Sequence, residues 1–202
     1  MAYSDFKLRE VQKKFQLSIT EKLGIFSSIE EKMLSDYFAI TLEENIPLAV
    51  SINTEKARSE LLVANVLVEV RKLFERKISF FSGVEFNVDK EQALTGFCDF
   101  IISLSPEQLF VEAPVIAVVE AKNENIMSGL GQCIAEMVAV QLFNEREGNK
   151  LQNVYGTVTS GIGWKFLKLH GSEVSIDLKD YSLDSEPQKI VGILAAMISQ
   201  TA

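Results

Sequence analysis

Hydrophobic and polar positions divide most of the chain into predicted helices and strands. Residues 55–76 place apolar side chains over a wide helical face, which predicts a long and largely buried helix capped by Asn53 or Thr54. Three β-branched and aromatic runs follow, and turn residues bound each of them. They predict strands within residues 78–89, 95–105 and 114–123.

The second half of the chain repeats this change from helix to strand. Residues 128–146 predict a second buried helix, with Gly148 as its stop. Residues 153–183 predict a strand, a turn near Gly161 and two more strands, and residues 186–202 predict an amphipathic helix. This order predicts an α/β fold with a central mixed β-sheet flanked by helices.

The pattern of hydrophobic and polar positions divides the chain into an N-terminal extension and a domain. Residues 1–50 are polar and weakly periodic, which predicts a partly helical N-terminal extension, and residues 51–202 form the predicted domain. Within the extension, Ser27 or Ser28 is the expected cap of a helix that ends before Pro47.

Charged side chains interrupt two of the predicted strands. Asp99 lies within the second strand, and Glu120 and Lys122 lie at the end of the third. Side chains alternate between the two faces of a strand, so Glu120 and Lys122 are expected on one face with Ile116 and Val118. If the two strands are antiparallel neighbours, Asp99 meets Glu120 across the pair.

Two carboxylates at that distance repel each other and resist burial, and a divalent cation would relieve both costs. Magnesium prefers carboxylate oxygens and water. Lys122, on the same face, would then hold a water molecule or the phosphate under attack. The alternative is a salt bridge between Lys122 and either acid at a solvated sheet edge, and an isolated Glu-x-Lys triplet on its own favours that alternative.

The surroundings of these residues favour the metal site. A predicted buried helix with Glu60 precedes them, and another with Gln132 follows. Asp99, the triplet from Glu120 to Lys122, and the order helix, three strands, helix and strand over residues 55–168 together resemble the PD-(D/E)XK nuclease superfamily. The chain is also similar to small cyanobacterial proteins of that superfamily.

This resemblance implies a restriction-endonuclease-like core and a magnesium-dependent nuclease, with Mn²⁺ able to substitute. It implies that Asp99 and Glu120 bind the metal, helped by the Ala121 carbonyl and by Glu60 through water, with Glu69 as the fallback on a more exposed part of the helix. Lys122 would assist the attacking water, and the products would be a 5′-phosphate and a 3′-hydroxyl. Gln132 resembles the glutamine that follows the triplet in RecB-like and resolvase-like members.

The chain departs from the family pattern at two positions. Cys98 stands where the motif has proline, and Glu136 stands where RecB-like members have a tyrosine four residues after the glutamine. The second departure weakens assignment to that subgroup and leaves the role of Gln132 open between the site and a buried structural amide.

Four basic residues are candidates for contacting nucleic acid. Lys56 and Arg58 begin the helix that carries Glu60, and Lys165 and Lys168 lie on a later predicted strand. A solvated helix start is the alternative for the first pair. Trp164, beside Lys165, is a candidate for base stacking, although a core position is favoured for a single tryptophan in a hairpin.

Composition narrows the classes of function. The net charge of −8 argues mildly against a dedicated nucleic-acid coat protein. Two cysteines and one histidine exclude a four-ligand zinc site or an iron–sulfur cluster held by this chain alone, and Cys98 and Cys133 are expected to be free and buried. No long uncharged apolar run or signal-like N-terminus is present, which predicts a cytoplasmic protein without a membrane span.

Two functions therefore compete at the level of sequence. The first is a metal-dependent nuclease that hydrolyses DNA. The second is an inactive nuclease-fold protein that serves as a binding or oligomerisation module, which the acidic net charge favours and the Asp99, Glu120 and Lys122 set opposes. A homodimer or an unidentified protein partner is compatible with either.

Overall fold

The computed structural model describes residues 2–123 and 125–200 and shows an α/β architecture with one mixed eight-stranded sheet. The helices are α1 Leu8–Lys14, α2 Asp36–Ile52, α3 Glu55–Arg58, α4 Ala64–Leu73, α5 Leu130–Arg146 and α6 Pro187–Ile198. The strands are β1 Ser18–Lys22, β2 Ser79–Glu85, β3 Phe97–Ser103, β4 Val115–Ala121, β5 Val154–Thr159, β6 Gly163–His170, β7 Glu173–Asp177 and β8 Tyr181–Ser182.

The strand order is β1-β7-β6-β5-β4-β3-β2, and β8 pairs with β6. Strands β2, β3 and β4 form an antiparallel meander, whereas β5 is parallel to β4. A parallel neighbour requires a crossover, and α5 supplies it. The ends of β4 and β5 therefore lie side by side, with α5 packed against both strands.

Two apolar clusters cover the two faces of the sheet. One contains buried residues of α2, α4 and α6, such as Leu42, Val66 and Ile193. The other contains buried residues of α1 and α5, such as Val11 and Ile134. Burial on both faces explains why the central strands lack a simple alternation of apolar and polar residues.

The helix predicted over residues 55–76 forms with an irregular turn near its start. Thr54 caps it, because its hydroxyl accepts a hydrogen bond from Ala57 N at 3.1 Å. A π-helical segment, Ser59–Val63, joins α3 to α4 and contains Glu60. Such bulges often occur at functional sites, since they shift the direction of the side chains that follow.

The N-terminal residues belong to the same core as the rest of the chain. Tyr3, Phe6 and Val11 are buried in the cluster that also holds α5, and β1 adds an edge strand by pairing in parallel with β7. The sequence predicted a polar, partly helical extension over residues 1–50, and a few apolar side chains within it pack into this cluster.

The helix expected to begin near Ser27 begins later and continues further. Ser35 is the actual N-cap of α2, and Pro47 lies inside the helix instead of ending it. A proline lacks the donor for one helical hydrogen bond. The interruption is tolerated within a helix whose inner side chains, among them Leu42 and Ala49, are buried.

Glu69 was expected on an exposed part of its helix, but its side chain is buried and bound elsewhere. Its carboxylate accepts hydrogen bonds from Ser35 N at 2.7 Å and Ser35 Oγ at 2.8 Å, and it pairs with Lys72 at 3.2 Å. Burial alone would raise the pKa of Glu69, but these bonds outweigh it and lower the pKa. Glu69 therefore stabilises the N-terminus of α2 and is not available to replace Glu60 as the acid that would bind the metal through water.

We expect Glu69→Ala to lower the free energy of unfolding by about 2 kcal/mol at pH 7, because buried donors lose a charged acceptor. A lowered carboxyl pKa contributes stability above the unfolded pKa and loses it as the pH falls. The difference from wild type, measured by urea unfolding, should therefore shrink in acid. Glu75→Ala, which removes an exposed carboxylate paired with Lys77, should have little effect.

One segment, Ile126–Arg146, is long and apolar enough to cross a membrane by length and composition alone. It contains α5, which is packed against β4, β5 and α1. Most of the segment is buried inside the protein, as in the core helix of a soluble domain.

Candidate functional site

The site begins where β3 and β4 separate. Their antiparallel register pairs Phe100 with Val119, so the next step along the ladder places Asp99 beside Glu120, as the sequence predicted. There the Asp99 carboxylate accepts a hydrogen bond from Ala121 N at 2.8 Å. The aspartate thereby ties the end of β4 to β3 through a side chain.

An irregularity in β4 corrects one expectation about its faces. The register shifts between Ile102 and Ser103, so that Ala117 and Val115 are their partners and Ile116 is left over. Ile116 packs in the cluster with α4 and α6, whereas Val118 packs in the cluster with α5. Ile116 therefore does not share a face with Val118, because a bulge changes the alternation.

A chain of hydrogen bonds runs from β4 into α5. Lys122 Nζ bonds Glu120 Oε1 and lies 3.4 Å from Gln132 Oε1. Gln132 Nε2 in turn donates to Glu136 Oε1 at 3.0 Å. The structure thus brings Gln132, whose role the sequence left open, together with Glu120 and Lys122, and adds Glu136. The ion pair between Lys122 and Glu120 is the contact that the salt-bridge alternative predicts, but Glu120 is buried and not at a solvated edge.

Burial sets the electrostatics of this chain. Glu120 is 1% exposed and Glu136 is fully buried, and among the described residues the Oε2 atom of each has no hydrogen-bond partner. Burial and the nearby Asp99 charge raise the pKa of Glu120 to about 7, against the opposing effect of Lys122. Burial and Glu120 raise the pKa of Glu136 well above its usual range.

Raised pKa values favour the neutral carboxyl, most strongly at the fully buried Glu136. The interaction between the two acids lowers the pKa of Glu120 and raises that of Glu136, as expected when Glu136 is the acid that stays neutral. Burial lowers the pKa of Lys122, but its contact with Glu120 outweighs this and raises it. Lys122 consequently stays an ammonium.

An open cleft of about 270 Å³ lies beside this buried chain. Asp99 of β3 and Ala121 of β4 line it, together with Lys56 of α3 and Glu60 of the π-helical segment. The remaining lining residues are Glu55, Ser59, Ser82 and Gly83. The structure thus places Glu60 on the same cleft as Asp99 and Ala121, as expected.

Glu60 is nevertheless turned to solvent. Its side chain is 65% exposed and lies 3.8 Å from Lys56 Nζ. Within residues 2–123 and 125–200, no three acidic, histidine or cysteine side chains are grouped closely enough to form a ready metal cage. Glu120 is buried and is not among the residues that line the cleft, whereas Asp99 is half-buried and lines it.

The residues present still fit a magnesium ion. Magnesium needs only one or two protein carboxylates and keeps several waters, so a three-acid cage is not required. Glu120 Oε2 is a buried oxygen without a hydrogen-bond partner among the described residues, and Asp99 lines an open cleft next to it in the ladder. A hard oxygen donor set beside space for water is the chemistry that such an ion prefers.

The four basic candidates for nucleic acid have different surroundings. Lys56 is exposed at the rim of the cleft. The Arg58 guanidinium is already engaged within the protein, because it donates hydrogen bonds to Ser160 O at 3.0 Å and to Asn53 Oδ1 at 2.8 Å.

Lys165 and Lys168 lie on β6, away from the residues that line the cleft. Lys165 is buried, and its ammonium bonds Asp180 at 2.7 Å and the Asp177 carbonyl at 3.1 Å. It is therefore not available to a phosphate, and the expectation for Lys165 finds no support. Lys168 is half-buried, with its ammonium 5.9 Å from the centre of the Tyr155 ring.

Trp164 is fully buried, and its indole nitrogen donates to Gly161 O at 2.9 Å, which confirms the core position that the sequence favoured. Cys98 and Cys133 are free and buried, also as expected. Both thiols lie close enough to Glu136 and Glu120 for these acids to raise their pKa, after the larger effect of burial.

Sequence reasoning missed Glu136 and Glu55. Glu136 was noted only as a departure from a family tyrosine, although an acid four residues after Gln132 on an apolar helix was a usable signal. Glu55 lines the cleft and helps to raise the pKa of Lys122. Its position at a helix start looked like ordinary capping electrostatics.

The fold and the site together define an α/β domain with a buried carboxylate–lysine–glutamine chain at the edge of an open cleft. Comparison with known proteins finds no family model that matches this chain and no match among curated proteins.

Proposed function

We propose that this protein is a metal-dependent nuclease that hydrolyses phosphodiester bonds of DNA. The proposal rests on one observation: Asp99, Glu120 and Lys122 lie close together where strands β3 and β4 separate, beside a cleft that is open to solvent. A buried carboxylate that repels a neighbouring acid is costly for folding, and a catalytic role explains its presence.

The chain topology supports the same proposal. Helix α4, the meander of β2, β3 and β4, the crossover α5 and the parallel strand β5 follow the order that the PD-(D/E)XK resemblance implies. Asp99 falls on the second strand of the meander, the Glu120 triplet ends the third, and Gln132 lies in the first turn of the crossover helix. A restriction-endonuclease-like core is therefore part of the proposal.

Asp99, Glu120 and the Ala121 carbonyl would hold Mg²⁺, with Glu60 across the cleft acting through water. The bound ion would supply Lewis acidity, which lowers the pKa of a water molecule and neutralises charge on the phosphate. DNA would enter from the solvent side, where Lys56 is the exposed basic residue of the cleft.

Lys122 would orient the attacking water and stabilise the charge that develops on the phosphate. In the reaction, the water oxygen forms a bond to phosphorus as the bond to the 3′-oxygen breaks. The water loses a proton to solvent and the leaving oxygen gains one, which gives a 5′-phosphate and a 3′-hydroxyl. No covalent intermediate with the protein is needed.

We expect purified protein to cut plasmid and single-stranded DNA with Mg²⁺ or Mn²⁺, and not with EDTA. Glu120→Gln should abolish both cleavage and metal binding measured by titration calorimetry, because the shape is kept while the anionic ligand is lost. Glu145→Gln, an exposed change on α5, is the matched control. Metal binding without cleavage of any DNA form, or no binding at all, would favour the binding-module alternative.

A further inference from the structure

Glu136 is a fully buried acid on the apolar helix α5, and it has no role in the proposed reaction. A carboxyl group in a core is costly, and replacing such a group by an apolar side chain of similar size is often neutral or stabilising. Packing therefore gives no reason for an acid at this position.

The hydrogen bonds of Gln132 suggest what Glu136 does. A glutamine amide has one end that accepts and one that donates. Here the oxygen lies 3.4 Å from the Lys122 ammonium, and the nitrogen donates to Glu136 at 3.0 Å. If the amide turned over, its NH₂ group would face the ammonium, and two donors would oppose each other.

Glu136 favours the first orientation because its Oε1 can accept from the amide nitrogen. This holds whether Glu136 is neutral or ionised, since a neutral carboxyl keeps an acceptor oxygen. The positions four residues apart on α5 bring the two side chains onto neighbouring turns, so the helix itself fixes their separation.

The space around Lys122 makes this orientation consequential. A Cβ at Gly129 would lie 3.2 Å from Lys122 Cγ and 2.7 Å from Val158 Cγ1, so the stem of the lysine is tightly packed at the start of α5. The ammonium is then held from two sides, by Glu120 and by the oxygen of Gln132.

We propose that Glu136 is a positioning residue: it fixes the amide orientation of Gln132 and thereby holds the Lys122 ammonium in place at the site. The expected effect on kcat rests on the proposed nuclease function. The expected effect on the orientation of the Gln132 amide rests on the geometry alone. In this arrangement Glu136 touches neither substrate nor metal: it orients Lys122 through Gln132, and its effect on the pKa of Glu120 is a separate interaction.

The test compares two variants that differ in one property. Glu136→Gln keeps the shape and an acceptor oxygen, whereas Glu136→Met keeps the approximate size and removes the acceptor. We expect Glu136→Met to lower kcat for DNA cleavage about 10- to 100-fold, as is typical for groups that orient a catalytic residue, with KM nearly unchanged. Glu136→Gln should retain kcat within about threefold. Glu145→Met is the control for methionine on an exposed part of α5.

A second readout does not depend on cleavage. In ¹⁵N-labelled protein, the side-chain amide of Gln132, assigned by its loss in Gln132→Met, should exchange slowly with solvent in wild type and in Glu136→Gln. The same resonances should shift and exchange faster in Glu136→Met. If wild type cuts no DNA, the nuclease proposal fails while this spectrum still decides the role of Glu136.

Equal kcat in wild type and Glu136→Met, or unchanged Gln132 amide resonances, would overturn the inference. If Glu136→Met does not fold, Gln132→Met removes the same hydrogen bond from the other side and takes its place. It must then lower kcat and spare KM, and a wild-type rate would overturn the inference equally.

Discussion

Lys122→Ala is expected to reduce DNA cleavage by about 100- to 1,000-fold, the typical cost of losing one preorganised donor to a developing negative charge. Mg²⁺ binding should persist, because Asp99 and Glu120 remain. The expectation follows from the position of the ammonium, which bonds Glu120 and lies beside Gln132. The measurement is the rate of plasmid cleavage at saturating Mg²⁺, beside titration calorimetry for the metal.

Lys77→Ala is the matched control, since it removes an exposed ammonium that pairs only with the exposed Glu75 among the bonds described. It should leave the rate within about twofold, as surface charge pairs contribute little. Full activity of Lys122→Ala would contradict the assignment of the lysine, and would leave Asp99 and Glu120 as the remaining candidates for chemistry.

Glu120→Gln is expected to abolish cleavage and at the same time to make the protein less sensitive to rising pH. Burial and the nearby Asp99 raise the pKa of Glu120 from 4.5 to about 7. A raised pKa means that the folded state prefers the protonated acid. The stability from that preference is complete below about pH 4.5 and is lost as the pH rises through about 7.

Relative to wild type, the glutamine variant should therefore gain stability between pH 5 and pH 8, by on the order of 1–3 kcal/mol. Urea unfolding without divalent metal at both pH values measures it. The substitution also removes an ion-pair partner of Lys122, which changes the free energy of unfolding at both pH values. The difference between the two pH values therefore reports the titration of the Glu120 carboxyl group. A difference that is the same at pH 5 and pH 8 would contradict a raised pKa for Glu120. Glu145→Gln, exposed on α5, should show no such change.

Sequence patterns were sufficient for the elements that carry the site. The helix from Glu55 follows its helical periodicity, and strands β3, β4 and β5 follow from apolar runs bounded by turn residues. Antiparallel pairing of β3 with β4 then places Asp99 beside Glu120. Gln132 joins them because the crossover helix must return over the strand it leaves. These are short-range consequences of pattern and connection.

Other features depend on contacts that no local pattern encodes. The bulge that turns Ile116 to the opposite face of the sheet arises from the pairing of β4 with β3. The hydrogen bonds of the buried Glu69 carboxylate depend on the position of Ser35 in the folded chain. The burial of Lys165 against Asp180 likewise depends on the turn that follows β7. In each case the partner lies in an element whose place is set by tertiary packing.

The pairing of β1 with β7 has a consequence for how the protein is made. Ser18 lies opposite Glu173, so the first strand finds its partner only after the residues up to β7 have been synthesised. The N-terminal segment also packs against α5, where a Cβ at Gly131 would lie 2.3 Å from Phe6 O. Contacts between such distant parts of a chain form slowly. The helix that carries Gln132 and Glu136 is thus covered by a segment far from it in sequence, and a nascent chain would have an incomplete site until that long-range contact forms.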